Sequence, residues 1–120
     1  MSHFLAVRNA SRNASLGRTI RLADSFWARC RGLIGRAPLV DGEGLCLVPC
    51  RAVHMAGMRQ SLDVVFATAD GRVVALYEHL APGARTRWHR DAERAIELPA
   101  GTIRATGTQA GDHLSWELAA

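Results

Sequence analysis

The chain of 120 residues has no lysine, and all fifteen of its basic residues are arginines. Tyrosine occurs once and aromatic residues make up 6% of the chain, too few to pave a surface with stacking rings. The arginines are scattered (Arg8, Arg12, Arg18, Arg21, Arg29, Arg31, Arg36, then Arg85, Arg87, Arg90) and not interleaved with aromatics. A net charge of +4 therefore reflects arginine-rich coding more than a nucleic-acid face, and nucleic acid is disfavoured as a partner. No apolar run approaches the ~20 residues a spanning helix requires, so a transmembrane helix is excluded. Residues 1–16 lack the apolar centre of a signal peptide, and a soluble, cytoplasmic protein is expected.

Cysteine is scarce too. Cys30, Cys46 and Cys50 cannot all pair within one molecule, and no Cys-x-x-Cys is present, which argues against a disulfide framework, a zinc site or a redox pair. Cys30 and Cys46 sit among Trp27, Leu33, Leu45 and Leu47, where a reduced cysteine serves as a small buried hydrophobe. Cys50, between Pro49 and Arg51, has the one setting that favours a thiolate.

What is present suffices for one domain, since a chain of this length buries about two-thirds of the surface its unfolded form exposes. Residues 1–18 are expected to form an N-terminal extension or short strand, and residues 19–118 a single globular domain. Thr19 to Ala23 alternates as a half-buried strand, and Asp24-Ser25 then offers helix N-caps. Phe26, Cys30, Leu33 and Ile34 share a helical face that Gly35 is placed to end. Leu45 to Val48 reads as a buried strand. The strongest local signal is a hairpin, in which Leu62 to Thr68 and Arg72 to Tyr77 join through Ala69-Asp70-Gly71. Ala84 to Asp91 is expected to be an exposed, mobile connection, Ala92 to Leu98 a strand, Thr102 to Thr106 a helical turn and His113 to Leu118 a last strand. The fold class is α+β and mainly β: a small single-domain distorted β-barrel or folded antiparallel sheet with one or two short helices.

The blocks Arg31-Gly-Leu-Ile-Gly-Arg36, Cys50…His54…Met58…Asp63-Val-Val-Phe66, Asp70-Gly71-Arg72-Val73-Val74, Glu97-Leu98-Pro99-Ala100-Gly101 and Gly111-Asp112 run in the order of the family called domain of unknown function 192, which the chain closely resembles. The resemblance covers about residues 19–118. It implies a small, mainly β domain found in bacteria and archaea, with no established activity, cofactor or catalytic residue. Many relatives carry Ile-His-Thr and then aromatics before the methionine. Here Val53-His54-Met55 is followed by Ala56-Gly57, smaller residues that would leave space beside Met58.

Cys50 to Asp63 gathers a thiol, an imidazole, two thioethers and a carboxylate, and three readings follow. Thiolate, imidazole and thioether donors suit Cu(I), with Cys50, His54, Met55 and Met58 as ligands. On a helix, Cys50, His54 and Met58 would lie about 6 Å apart along one face. On the extended path that Gly57 favours, Cys50 and His54 stand about 13 Å apart, too far to share an ion. A catalytic reading makes Cys50 the nucleophile, His54 its base and Asp63 the orienting carboxylate. The extended spacing and the absence of a glycine-flanked elbow count against it. The favoured reading is a non-enzymatic domain that binds a small ligand or protein partner in a cleft lined by Cys50, His54, Met58, Asp63 and Glu97, with Arg36 available to an acidic group. Asp63 is also expected to be structural, accepting from the turn at Gln60-Ser61 or pairing with Arg36 or Arg59. The cofactor, if any, is left open.

Overall fold

The computed structural model describes residues 3–23 and 38–119. Its strands are β1 (His3–Asn9), β2 (Ala14–Ala23), β3 (Glu43–Leu47), β4 (Leu62–Ala67), β5 (Val73–Leu80), β6 (Arg94–Pro99) and β7 (Leu114–Leu118), and a short helix, α1 (Thr102–Thr106), lies between β6 and β7. Among the described residues they form one sheet in the order β5-β4-β6-β3-β2-β1-β7. Every pairing is antiparallel except β2 with β3. That parallel pair is joined through the stretch in which the sequence predicts the Phe26–Gly35 helix, which lies outside the described residues.

The sheet curls until its two edges meet at one end. Val73 donates to the carbonyl of Asp112 at 2.8 Å, Leu114 to that of Gly71 at 2.8 Å, and Arg72 bridges His113. Gly71 sits at the contact with φ of 99°, and a Cβ there would lie 2.2 Å from the Leu114 carbonyl oxygen. Only glycine allows this approach.

Curling gives the sheet an inner and an outer core. Strands across the sheet send Leu5, Val7, Ile20, Cys46, Val65, Ile96 and Leu98 inward, and α1 adds Ile103. The outer face carries Leu45, Leu62, Val64, Phe66 and Ala95, covered by Val53, Met55 and Ala92 from the connections before β4 and before β6. The period of two along β4 sorts its residues: Leu62, Val64 and Phe66 face outward, so Asp63, Val65 and Ala67 face inward.

The mainly β domain expected from the sequence, a distorted barrel or folded sheet, forms as a curled sheet open along one side, and the Asp70-Gly71 hairpin and the helical turn at Thr102 to Thr106 form as expected. Two segments take a more ordered part than expected. β1 lies within the sheet between β2 and β7, its core residues Leu5 and Val7 bracketed by partners on both sides. Residues 84–91, expected to be mobile, are tied along the connection before β4. Thr86 donates to Val53 at 2.9 Å, His89 to Arg51 at 2.7 Å, and His54 bridges Arg85. Thr86 is buried and its Oγ1 accepts from the Val53 N–H at 3.0 Å. Backbone pairing of two connections leaves no mark in composition, whereas Pro82-Gly83 and the arginines do read as loop.

Candidate functional site

Asp63 is fully buried on the inner face of β4. Its Oδ1 accepts from the His79 N–H at 2.9 Å, and its Oδ2 accepts from Gly101 at 3.1 Å and Ile103 at 2.8 Å. Gly101 is the N-cap of α1 and has no side chain to cap with, so Asp63 supplies the cap from across the sheet. Its role is structural, with partners other than those the sequence suggested. Arg36 lies outside the described residues.

Glu97 occupies the middle of β6, in register with Leu45 of β3 on one side and Val64 of β4 on the other. Both neighbours belong to the outer core, so Glu97 faces outward while Asp63, one position out of register, faces inward. The two carboxyls therefore do not share a cleft. Glu97 is 5% exposed, and among the described residues the sealed, unpartnered side-chain atom is Arg94 Nε and not a Glu97 oxygen, so the carboxyl keeps a narrow contact with solvent. Burial pushes it up to about 7, which leaves it divided between the acid and the carboxylate at neutral pH.

Cys50 and Met58 are half-buried against that same outer core. The Cys50 thiol donates to the Ala52 carbonyl at 3.2 Å. Met55 is completely buried, and His54 beside it is exposed. The path through Val53-His54-Met55 is thus extended, with the imidazole on the solvent side and its two neighbours packed inward. Cys50, His54 and Asp63 do not assemble as a nucleophile, base and orienting acid. Among the described residues no group of three or more His, Cys, Asp or Glu side chains is placed to hold a metal ion. Cys46 behaves as the small buried hydrophobe expected; burial is the largest influence on its thiol, which stands at about 11.

Sequence reasoning missed an aromatic group beneath the outer connection. The hydroxyl of Tyr77, the lone tyrosine, lies 2.7 Å from His89 Nε2 and accepts from the Arg87 N–H at 3.2 Å. Phe66 packs on the His89 ring with 4.6 Å between centroids. Burial, and then the charge of Arg87, hold His89 below its usual pKa. The available signal was an aromatic and a histidine together in a connection otherwise rich in arginine. A separate cleft of about 440 Å³ opens beside α1, bounded by Arg18, Asp41, Gly101, Thr102 and Thr106. The Thr102 and Thr106 hydroxyls are turned back onto the Pro99 and Thr102 carbonyls.

The family model for domain of unknown function 192, described as "Uncharacterized ACR", matches residues 7–116. The chain belongs to this family. A family member from Thermococcus sibiricus, a UPF0127 protein, is 31% identical over 104 residues, which are 82% of this chain and 66% of that one. A UPF0127 protein of Pyrococcus furiosus is 31% identical over 111 residues, covering 90% of this chain and 95% of its own. The crystal structure of a protein of unknown function from Novosphingobium aromaticivorans superposes with a TM-score of 0.79 at 22% identity, covering 93% of this chain and 83% of that chain. That last likeness concerns the fold alone.

Proposed function

We propose that this family member is a non-enzymatic binding domain, and that a small ligand or a group of a protein partner is taken up on the outer face of the sheet at Glu97, with Cys50 and Met58 at the margin. The observation that carries this reading is the carboxyl itself. The carboxyl is almost wholly withdrawn from water and its pKa is raised by that burial, while its oxygens keep a narrow contact with solvent through which a ligand group could reach them. Near its midpoint at neutral pH, the group can accept from or donate to a hydroxyl, amide or amine as the ligand requires.

The test is a thermal-shift screen of small hydroxyl, amide and amine compounds, with native mass spectrometry of protein purified without chelator. Ligands that stabilise the parent protein are expected to lose their effect in Glu97→Gln, whose own melting temperature equals or exceeds the parent's. An undiminished shift in Glu97→Gln would sink the reading, and a strongly lowered melting temperature would assign the carboxyl to the fold instead.

A further inference from the structure

We propose that the two paired connections, residues 48–61 and 81–93, form a ledge that binds single-stranded nucleic acid, with Trp88 stacking on a base and Arg85, Arg87 and Arg90 taking phosphates.

The ledge is ordered by its backbone. Five backbone bonds tie its two strips: Cys50 N–H to the Glu93 carbonyl, His89 to Arg51, Thr86 to Val53, Met55 to Ala84 and Gly83 to Met55, all between 2.7 and 2.9 Å. Thr86 is buried between exposed Arg85 and Arg87, so those two arginines share the solvent face, their backbones about 6.6 Å apart on an extended path. His54, marked out in the sequence, pairs with Arg85 through a backbone bridge and is exposed.

Trp88 is 69% exposed although the next residue, His89, is anchored by Phe66, Tyr77 and Arg51. Its backbone is therefore fixed while its indole is left in water, and the fold forgoes one of the largest apolar surfaces it has. The two strips carry Arg51, Arg59, Arg85, Arg87 and Arg90 against only Asp91 and Glu93, so three of the four net positive charges of the chain lie here. Among the described residues the guanidinium groups of Arg59, Arg85, Arg87 and Arg90 make no ion pair and no hydrogen bond, even with those two acids close by in the chain. The arginines are scattered in sequence, but Arg87 and Arg90 lie within two residues of Trp88, and the pairing of the strips sets Arg51 opposite His89, the residue next to that tryptophan.

A single strand uses both features at once, its bases on the indole and its phosphates on the planar guanidinium forks. An acidic peptide would use the arginines and leave the indole idle. An anionic membrane would need more apolar surface than the one large apolar side chain the ledge exposes among the described residues.

The experiment measures fluorescence anisotropy of labelled oligodeoxythymidine and oligouridine of about 12 nucleotides, titrated with the full chain between about 50 and 200 mM salt. Three phosphate contacts predict a slope of about −2 in log affinity against log salt. Arg87→Ala is expected to flatten the slope by about 0.7, and Trp88→Ala to weaken binding about tenfold with the slope unchanged. Both side chains are exposed, so the melting temperatures of the variants should match the parent's. Absence of binding at the lowest salt, or full affinity in Trp88→Ala, would overturn the proposal. A duplex bound as tightly as the single strand would refute the stacking role. Labelled polyglutamate or phosphatidylserine vesicles bound in place of the oligonucleotide would replace the partner by an acidic protein or a membrane.

Discussion

The three backbone groups that donate to Asp63 lie 16, 38 and 40 residues away in sequence. Truncating the side chain leaves these donors without their acceptor, at about 1–3 kcal/mol for each one buried from water. Asp63→Ala is expected to lower stability by about 3 kcal/mol or more, or roughly 10 °C in thermal unfolding followed by circular dichroism. Asp63→Asn keeps one carbonyl oxygen and should fall between. A shift of less than about 2 °C for the alanine variant would mean that water substitutes for the carboxylate. The sequence made the need for partners legible, because a charge at the mouth of an apolar strand must be satisfied. It pointed to near neighbours, since contacts across the sheet depend on register. The same one-residue offset between Asp63 and Glu97 separates two side chains that composition alone placed in one cleft.

Elements with strong local chemistry were the legible ones. Asp70-Gly71 marks the β4–β5 turn, where the Arg72 N–H donates to Thr68 Oγ1 at 3.0 Å and the Thr68 hydroxyl also bonds the Asp70 carboxylate. Gly107, at φ of 69°, marks the end of α1. What the turn signal did not disclose is that Gly71 has a second task at the closure of the half-barrel, because β7 arrives from the far end of the chain. Gly71→Ala places a methyl group on the Leu114 carbonyl and imposes a left-handed conformation on alanine, which together should destabilise by about 3 kcal/mol. Hydrogen exchange distinguishes this from a local turn defect: the Val73 and Leu114 amides, which bridge β5 and β7, should lose protection before the amides in the middle of β4. Uniform loss of protection would place the damage elsewhere.

At the scale of the whole molecule, charge that the fold buries or pairs sets how stability varies with pH. Glu97 has a folded pKa of about 7 against an ordinary 4.5, so its contribution is fully present below 4.5 and is lost as pH rises through 7. The full excursion is about 3 kcal/mol. Asp112 behaves oppositely. The Arg12 guanidinium, at 3.0 Å, and then the Asn9 amide, at 2.9 Å, hold it down to about 2 from 3.8, so its contribution is present above 3.8 and disappears toward 2. His89, depressed below 6.5, loses its contribution as pH falls through that range and partly offsets Glu97 there. The raw melting curve therefore mixes opposing slopes, and the difference between the parent and Glu97→Gln isolates one of them. That difference should be near zero at pH 4.5 and should favour the variant, growing through pH 7 and level beyond, because glutamine mimics the protonated acid at every pH. An equal difference at all pH values would mean that Glu97 ionises normally and that its burial is relieved by water. That outcome would also remove the observation on which ligand uptake at this face rests, since a hydrated carboxyl has no need of a partner.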